Sequence, residues 1–250
     1  MKYFYFIFLF MISHYFFGQN EKYPYYFGVQ LRPLFPTELV GSKTLKMNGP
    51  NYNLEVTQTL GYNFGVTVRA GFTKLLSFET GISYTQRNYN LNMSLIDTAV
   101  SASDQWSFIN YEIPTNLLIY IQLSKKTYMN SSLGTTIRYS PTNIVKLTET
   151  GGIHYFDNYG YLKNKIGFNF NANVGFEYRT RDKGFFYFGG SVCVPMTTFL
   201  NIQSTHYILK QTSKTTINGL IDGGYLALDL KYFFPIIPKK GDQPQKGPND

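Results

Sequence analysis

From Ile166 to Tyr178 the chain alternates without a break. Ile166, Phe168, Phe170, Ala172, Val174, Phe176 and Tyr178 are separated by Gly167, Asn169, Asn171, Asn173, Gly175 and Glu177. A strand sends successive side chains to opposite faces, so this stretch presents one apolar wall and one wall of Asn, Gly and Glu. The pattern recurs almost to the end of the chain. Tyr25, Phe27, Val29 and Leu31 oppose Tyr26, Gly28, Gln30 and Arg32. Tyr62, Phe64, Val66 and Val68 oppose Asn63, Gly65, Thr67 and Arg69. Further rows run through Phe78–Tyr84, Ile109–Ile121, Met129–Tyr139, Phe186–Val194 and Leu226–Tyr232. Sustained period-two patterning predicts an all-β fold of about eight long strands.

The connections divide into two kinds. Thr73–Ser77, Ser124–Lys126 and Arg181–Gly184 read as short turns. Residues 35–56, 90–106, 141–163 and 200–218 read as long, polar and irregular. Short turns at one end and long loops at the other suit an up-and-down, closed antiparallel transmembrane β-barrel. Pro114 and Pro195 lack a ladder donor and read as bulges.

The two rows alone do not say which wall faces outward. Three features favour an apolar exterior. Lys2 followed by the apolar run Tyr3–Phe17 and Gly18 reads as a secretory signal peptide over residues 1–18. The apolar rows are continuous aromatic and aliphatic stripes. The other row is a poor hydrophobic core but a good hydrogen-bonded interior. Only 15% of the 250 residues are charged while 18% are aromatic, which fits a surface not wholly facing water. The domain reading is therefore a signal over 1–18, a barrel over 19–235 and a disordered periplasmic tail over 236–250. A soluble lipocalin-like barrel is the competing architecture.

The inward row carries charges: Arg32, Arg69, Glu79, Arg87, Glu112, Arg138, Glu177, Arg179, Asp229 and Lys231. Arg69, Glu79, Glu177, Arg179, Asp229 and Lys231 fall near the short turns, and the rest lie deeper. Eight strands leave room for side chains or one small ligand, so these charges read as a structural ion-pair network. Cys193 is the only cysteine and reads as a small structural residue.

Three segments carry a family resemblance. "LSFETGISYTQRNY" (76–89), "INYEIPTNLLIYIQL" (109–123) and "GGYLALDLKYFFP" (223–235) resemble strands of Bacteroidetes outer-membrane β-barrel proteins. The last resembles the closing strand with its terminal aromatics. The likeness covers about Tyr25 to Phe234 and implies the small PorT-like, porin-family group. Gly81 stands where that family carries an acidic residue, with Glu79 two positions earlier on the same face. The resemblance implies architecture and assembly rather than a shared chemistry.

Function follows from these readings as an expectation: a non-enzymatic outer-membrane scaffold or interaction protein of a Gram-negative bacterium. Alternatives are a component of secretion or gliding machinery, a lipid-modifying enzyme and a narrow pore. The enzyme option rests on His154, His206, Ser204 and Asp157, which fall in the long loops and match no nucleophile motif. No catalytic, cofactor or metal site is expected, since no ligand spacing is present. Net charge is +8. Much of it maps to the short-turn side and the tail, where lipid head groups or a periplasmic protein are simpler partners than nucleic acid.

Overall fold

The computed structural model describes residues 25–162, 164–180, 183–209 and 211–235. The segments read above as a signal and as a tail, residues 1–18 and 236–250, lie outside the described residues. The described chain is all-β. It contains β1 (Tyr25–Pro36), β2 (Thr44–Asn48), β3 (Tyr52–Gly71), β4 (Leu76–Leu95), β5 (Ser101–Gln122) and β6 (Thr127–Tyr139). These are followed by β7 (Ile144–Thr150), β8 (His154–Tyr161), β9 (Ile166–Arg179), β10 (Phe185–Pro195), β11 (Leu200–Ile208), β12 (Lys214–Ile221) and β13 (Tyr225–Phe233).

The large sheet returns on itself. Its order is β1-β13-β10-β9-β6-β5-β4-β3, and β1 also pairs with β3. Every one of these pairings is antiparallel, so eight strands ring around. The lower half of β3 pairs with β1, and its upper half pairs with β2. A register shift in β3 between Thr59 and Tyr62 separates the halves.

The long segments predicted to be irregular are not so. Residues 35–56 contain β2 and the start of β3, and residues 90–106 complete β4 and begin β5. β7, β8, β11 and β12, which arise in the other two segments, 141–163 and 200–218, form a second sheet of order β12-β11-β8-β7. Its edge strand β7 lies beside β5 and its other edge, β12, beside β2. The upper parts of β3, β4 and β5 thus join the second sheet around a core of Tyr52, Leu54, Leu91, Met93, Trp106, Phe108, Phe156 and their neighbours. These segments are strands because they too alternate, with the apolar residues on the opposite parity.

The short turns are built alike. Thr73 Oγ1, Ser124 Oγ and Thr180 Oγ1 each accept a backbone N–H from two or three residues onward. Such hydroxyl turns are short and locally satisfied. Gly184 has a φ of 69°, and an added Cβ would run into the Phe233 carbonyl. That turn requires glycine.

Pro114 does not make a bulge. Register across β4–β5 is the same on both sides of it, Thr80 facing Thr115 and Ser83 facing Glu112. Thr80 Oγ1 donates to the Pro114 carbonyl at 2.8 Å. The ladder skips the missing donor without gaining a residue. The bulge sits in β3 instead.

Candidate functional site

The polar row faces inward. Asn63, Thr67, Arg69, Glu79, Thr85, Arg87, Glu112, Asn130, Arg138, Asn169, Glu177 and Asp229 are buried, while Phe64, Ile82, Leu117, Leu133, Phe170 and Phe188 are exposed. Polar side chains removed from water need partners. Here they find them in one another across the ring.

Three groups form. At the short-turn end, Arg69 bonds Glu79 through Nε at 3.0 Å and Nη2 at 2.6 Å, and pairs with Glu177 through Nη1. Lys231 caps the other Glu79 oxygen. Arg179 Nη2 lies 3.1 Å from Glu177 Oε2, and Asn130 donates to Glu177 Oε1 at 2.6 Å. The Arg69 guanidinium lies 4.3 Å from the Phe233 ring centroid.

Midway up, Arg32 Nε meets Asp229 Oδ1 at 2.5 Å, and Arg32 Nη2 donates to Ser191 Oγ at 2.7 Å. Asn173 fills the second Asp229 oxygen. Asp229, placed by sequence with the short-turn group, therefore belongs with Arg32. The β1–β13 register, with Leu31 facing Leu230 and Leu34 facing Ala227, sets Asp229 directly across from Arg32.

Higher still, Arg87 Nη2 lies 3.3 Å from Glu112 Oε1, and Arg87 Nη1 donates to the Gly223 carbonyl at 2.7 Å. Arg138 is 1% exposed, faces no carboxylate within bonding distance among the described residues, and donates to Asn169 Oδ1 at 3.3 Å. Cys193 is buried with Leu34, Tyr225 and Ala227, a packing role.

The outer face changes character along the strands. On β5 it runs Ser103, Gln105, Ser107, then Ile109, Tyr111, Ile113, Leu117, Ile119 and Ile121. The inner face changes oppositely, from Trp106 and Phe108 to Asn110 and Glu112. On β4 the inner row passes from Glu79, Ser83 and Arg87 to Tyr89, Leu91 and Met93. Arg87 faces Phe108, Asn88 faces Ser107 and Gln86 faces Ile109, while Tyr62 faces Gln86 across β3. Both faces invert at one level across three strands, beside the β3 bulge.

His154 and His206 are not loop residues. They stack on β8 and β11, with His154 Nδ1 and His206 Nε2 3.2 Å apart, and His206 is 6% exposed. Ser204 Oγ donates instead to Asn158 Oδ1 at 2.6 Å, and Asp157 lies opposite Thr205 on the other parity. The two histidines meet, but neither Ser204 nor Asp157 bonds to them. Tyr52 donates to the Ser204 carbonyl at 2.6 Å, and burial pushes its hydroxyl up to about 12.

Burial and the neighbouring His154 hold His206 below the ordinary histidine pKa. Its other ring neighbours are Tyr52 and Phe156, neither of which supplies a counter-charge. The unfolded chain takes up this proton near pH 6.5, before the folded chain does. Stability from this group is complete above that pH and is lost as pH falls toward the depressed folded value. The second sheet is expected to lose amide protection in hydrogen exchange as pH falls below about 6.5. His206→Phe should flatten that dependence, and an unchanged slope in the variant would remove His206 as its cause.

No family model matches the chain, and no curated protein does. Among solved structures, the low-pH structure of Pseudomonas putida OprB matches over 85% of this chain and 92% of that one, with 8% identity and a TM-score of 0.15. A likeness of that size carries no argument about fold or function.

Proposed function

We propose that the chain is an eight-stranded transmembrane β-barrel of a Gram-negative outer membrane, with a folded head above the bilayer. It acts as a non-enzymatic scaffold for interaction. The observation that carries this reading is the inversion of both faces at one level. A wall apolar outside and polar inside suits lipid, and one polar outside and apolar inside suits water. Both walls occur on the same strands, so the change of solvent lies between them.

Two aromatic bands support the same boundaries. Tyr84 packs against Tyr62 and Tyr111, and Tyr111 faces Tyr139 across β5–β6. At the short-turn end, Phe27 stacks with Phe234 at 5.8 Å and Phe186 lies 4.9 Å from Tyr232. Aromatic side chains favour membrane interfaces because they are apolar and tolerate head-group polarity. On β9 the stripe from Ile166 to Tyr178 takes about 12 steps of about 3.3 Å, or roughly 30 Å along the normal at a tilt near 40°. That is close to the height of an outer-membrane apolar band.

A closed ring also leaves no unpaired edge in lipid, which an open sheet could not satisfy. Lys74, Lys125, Lys126 and Lys183 fall on the short-turn side, facing inner-leaflet head groups in this orientation. The head puts a hydrogen-bonded sheet where long, irregular loops were expected from sequence, a better platform for a protein partner. The resemblance to PorT-like proteins makes a secretion-machinery partner the second reading.

Phe170 is 42% exposed near the middle of the β9 stripe. Phe170→Arg should block assembly, since a cation at the bilayer midplane costs about 2–4 kcal/mol. Asn171→Asp, on the inner face where the side chain meets the Thr136 hydroxyl, should be far milder. Heat-modifiable migration after refolding into vesicles separates the two. Equal damage from both would mean the outer face does not meet lipid.

A further inference from the structure

We propose that the interior holds one small monovalent anion of the halide class at Arg138. In the upper half of the ring, Arg32, Arg87 and Arg138 share only Asp229 and Glu112. Asp229 is taken by Arg32, and Glu112 turns to Arg87 and the Tyr225 hydroxyl. Glu112 stands directly across the β5–β6 ladder from Arg138, yet makes no bond to it. The remaining buried acid of the upper region, Asp104, is bound to Lys146 and Thr148. One guanidinium is therefore left without a bonded counter-charge among the described residues.

The donors around it are also left over. Arg138 Nε has no acceptor among the described residues. Its guanidinium sits 4.8 Å from the Phe199 centroid, and Arg87 sits 4.6 Å from the same ring. Ring contact offsets some lost hydration but accepts no hydrogen bond. Asn169 on β9 uses its oxygen for Arg138, which leaves its Nδ2 unpaired. Asn110 on β5 uses its oxygen for Ser140 Oγ at 2.5 Å, which leaves its Nδ2 unpaired too. Both asparagines are fully buried, on the two strands that flank Arg138.

A buried unpaired cation and buried unpaired donors are each costly. Asn169 adjoins Arg138 and Asn110 meets Ser140, two residues on from Arg138, and each group lacks the same thing: an acceptor. The surplus is a single positive charge, which selects a monovalent ion. An eight-stranded interior is already filled by side chains, which selects a small one.

The test is thermal unfolding of the purified, refolded full chain at constant ionic strength, with chloride exchanged for gluconate. Wild type should gain roughly 3–6 °C per tenfold chloride above the dissociation constant. Asn169→Asp is isosteric and supplies a fixed carboxylate to Arg138 Nη1. It should lose the chloride shift while melting in gluconate at or above wild type. Arg138→Gln should lose the shift as well. General salt effects act on all three chains alike and cancel in the comparison. A wild-type midpoint indifferent to the exchange would overturn the proposal. So would a chloride shift retained in Asn169→Asp, which stays informative if Arg138→Gln fails to fold.

Discussion

Removal of residues 225–250 is expected to abolish membrane assembly, whereas removal of residues 236–250 is expected to spare it. The longer truncation deletes β13, which pairs with β1 from Gly28 to Pro36 and with β10 from Phe185 to Cys193. Two strands would then present bare N–H and C=O groups. In lipid each such group costs several kcal/mol, because no water replaces the lost partner. The deletion also removes two interior counter-charges, stripping Asp229 from Arg32 and Lys231 from Glu79. Either loss alone is damaging, and together they leave no closed alternative. The shorter truncation keeps Phe234, whose N–H donates to the Phe27 carbonyl at 2.9 Å and ties the last strand to the first. Outer-membrane fractionation with protease treatment of whole cells distinguishes the outcomes. Protected strands in the longer truncation would mean that β13 does not close the ring.

The eight ring strands were legible because alternation is read directly from residue type. The head was not, and its strands alternate just as well. Residues 90–106 show why. Leu91, Met93 and Trp106 point inward there, while Asn90, Asn92 and Gln105 point outward. Lower on the same strands the apolar parity is the opposite one, as Tyr84 and Ile82 show on β4. A reading that follows one apolar parity meets a break at Gln86–Asn88 and sees a loop. The signal that would have found the head is a parity flip inside an unbroken strand.

The charged interior was legible as a set of residues but not as a set of pairs. Pairing depends on register, which the bulge at Thr59–Tyr62 and the turn lengths fix. Asp229 was therefore grouped by its distance from the turn rather than with Arg32. The stacked histidines were hidden for a different reason. His154 and His206 are far apart in sequence, and only the pairing of β8 with β11 brings them together.

Register also decides which interior charge matters most. Arg69 makes the most bonds, yet Glu112→Gln is expected to cost more than Arg69→Met. Without Arg69, Glu79 keeps Lys231 and Glu177 keeps Arg179 and Asn130. The short-turn group is left balanced, two cations against two carboxylates. Its loss is that of hydrogen bonds and of the ring contact with Phe233, and Met fills part of the volume. Without the Glu112 carboxylate, Arg87 loses its partner and joins Arg138, which has none bonded to it among the described residues, each within 1% of full burial. Removing one partner of a buried pair costs about 3–5 kcal/mol, because the charge left behind cannot be hydrated. Here the charge left behind shares the Phe199 ring with one already unmatched, and the isosteric change alters no packing. Denaturant unfolding in vesicles should place Glu112→Gln lowest, Arg69→Met between it and wild type, and Glu112→Gln combined with Arg138→Gln above Glu112→Gln alone. If Arg69→Met proves the weaker chain, hydrogen-bond count governs this interior rather than charge balance.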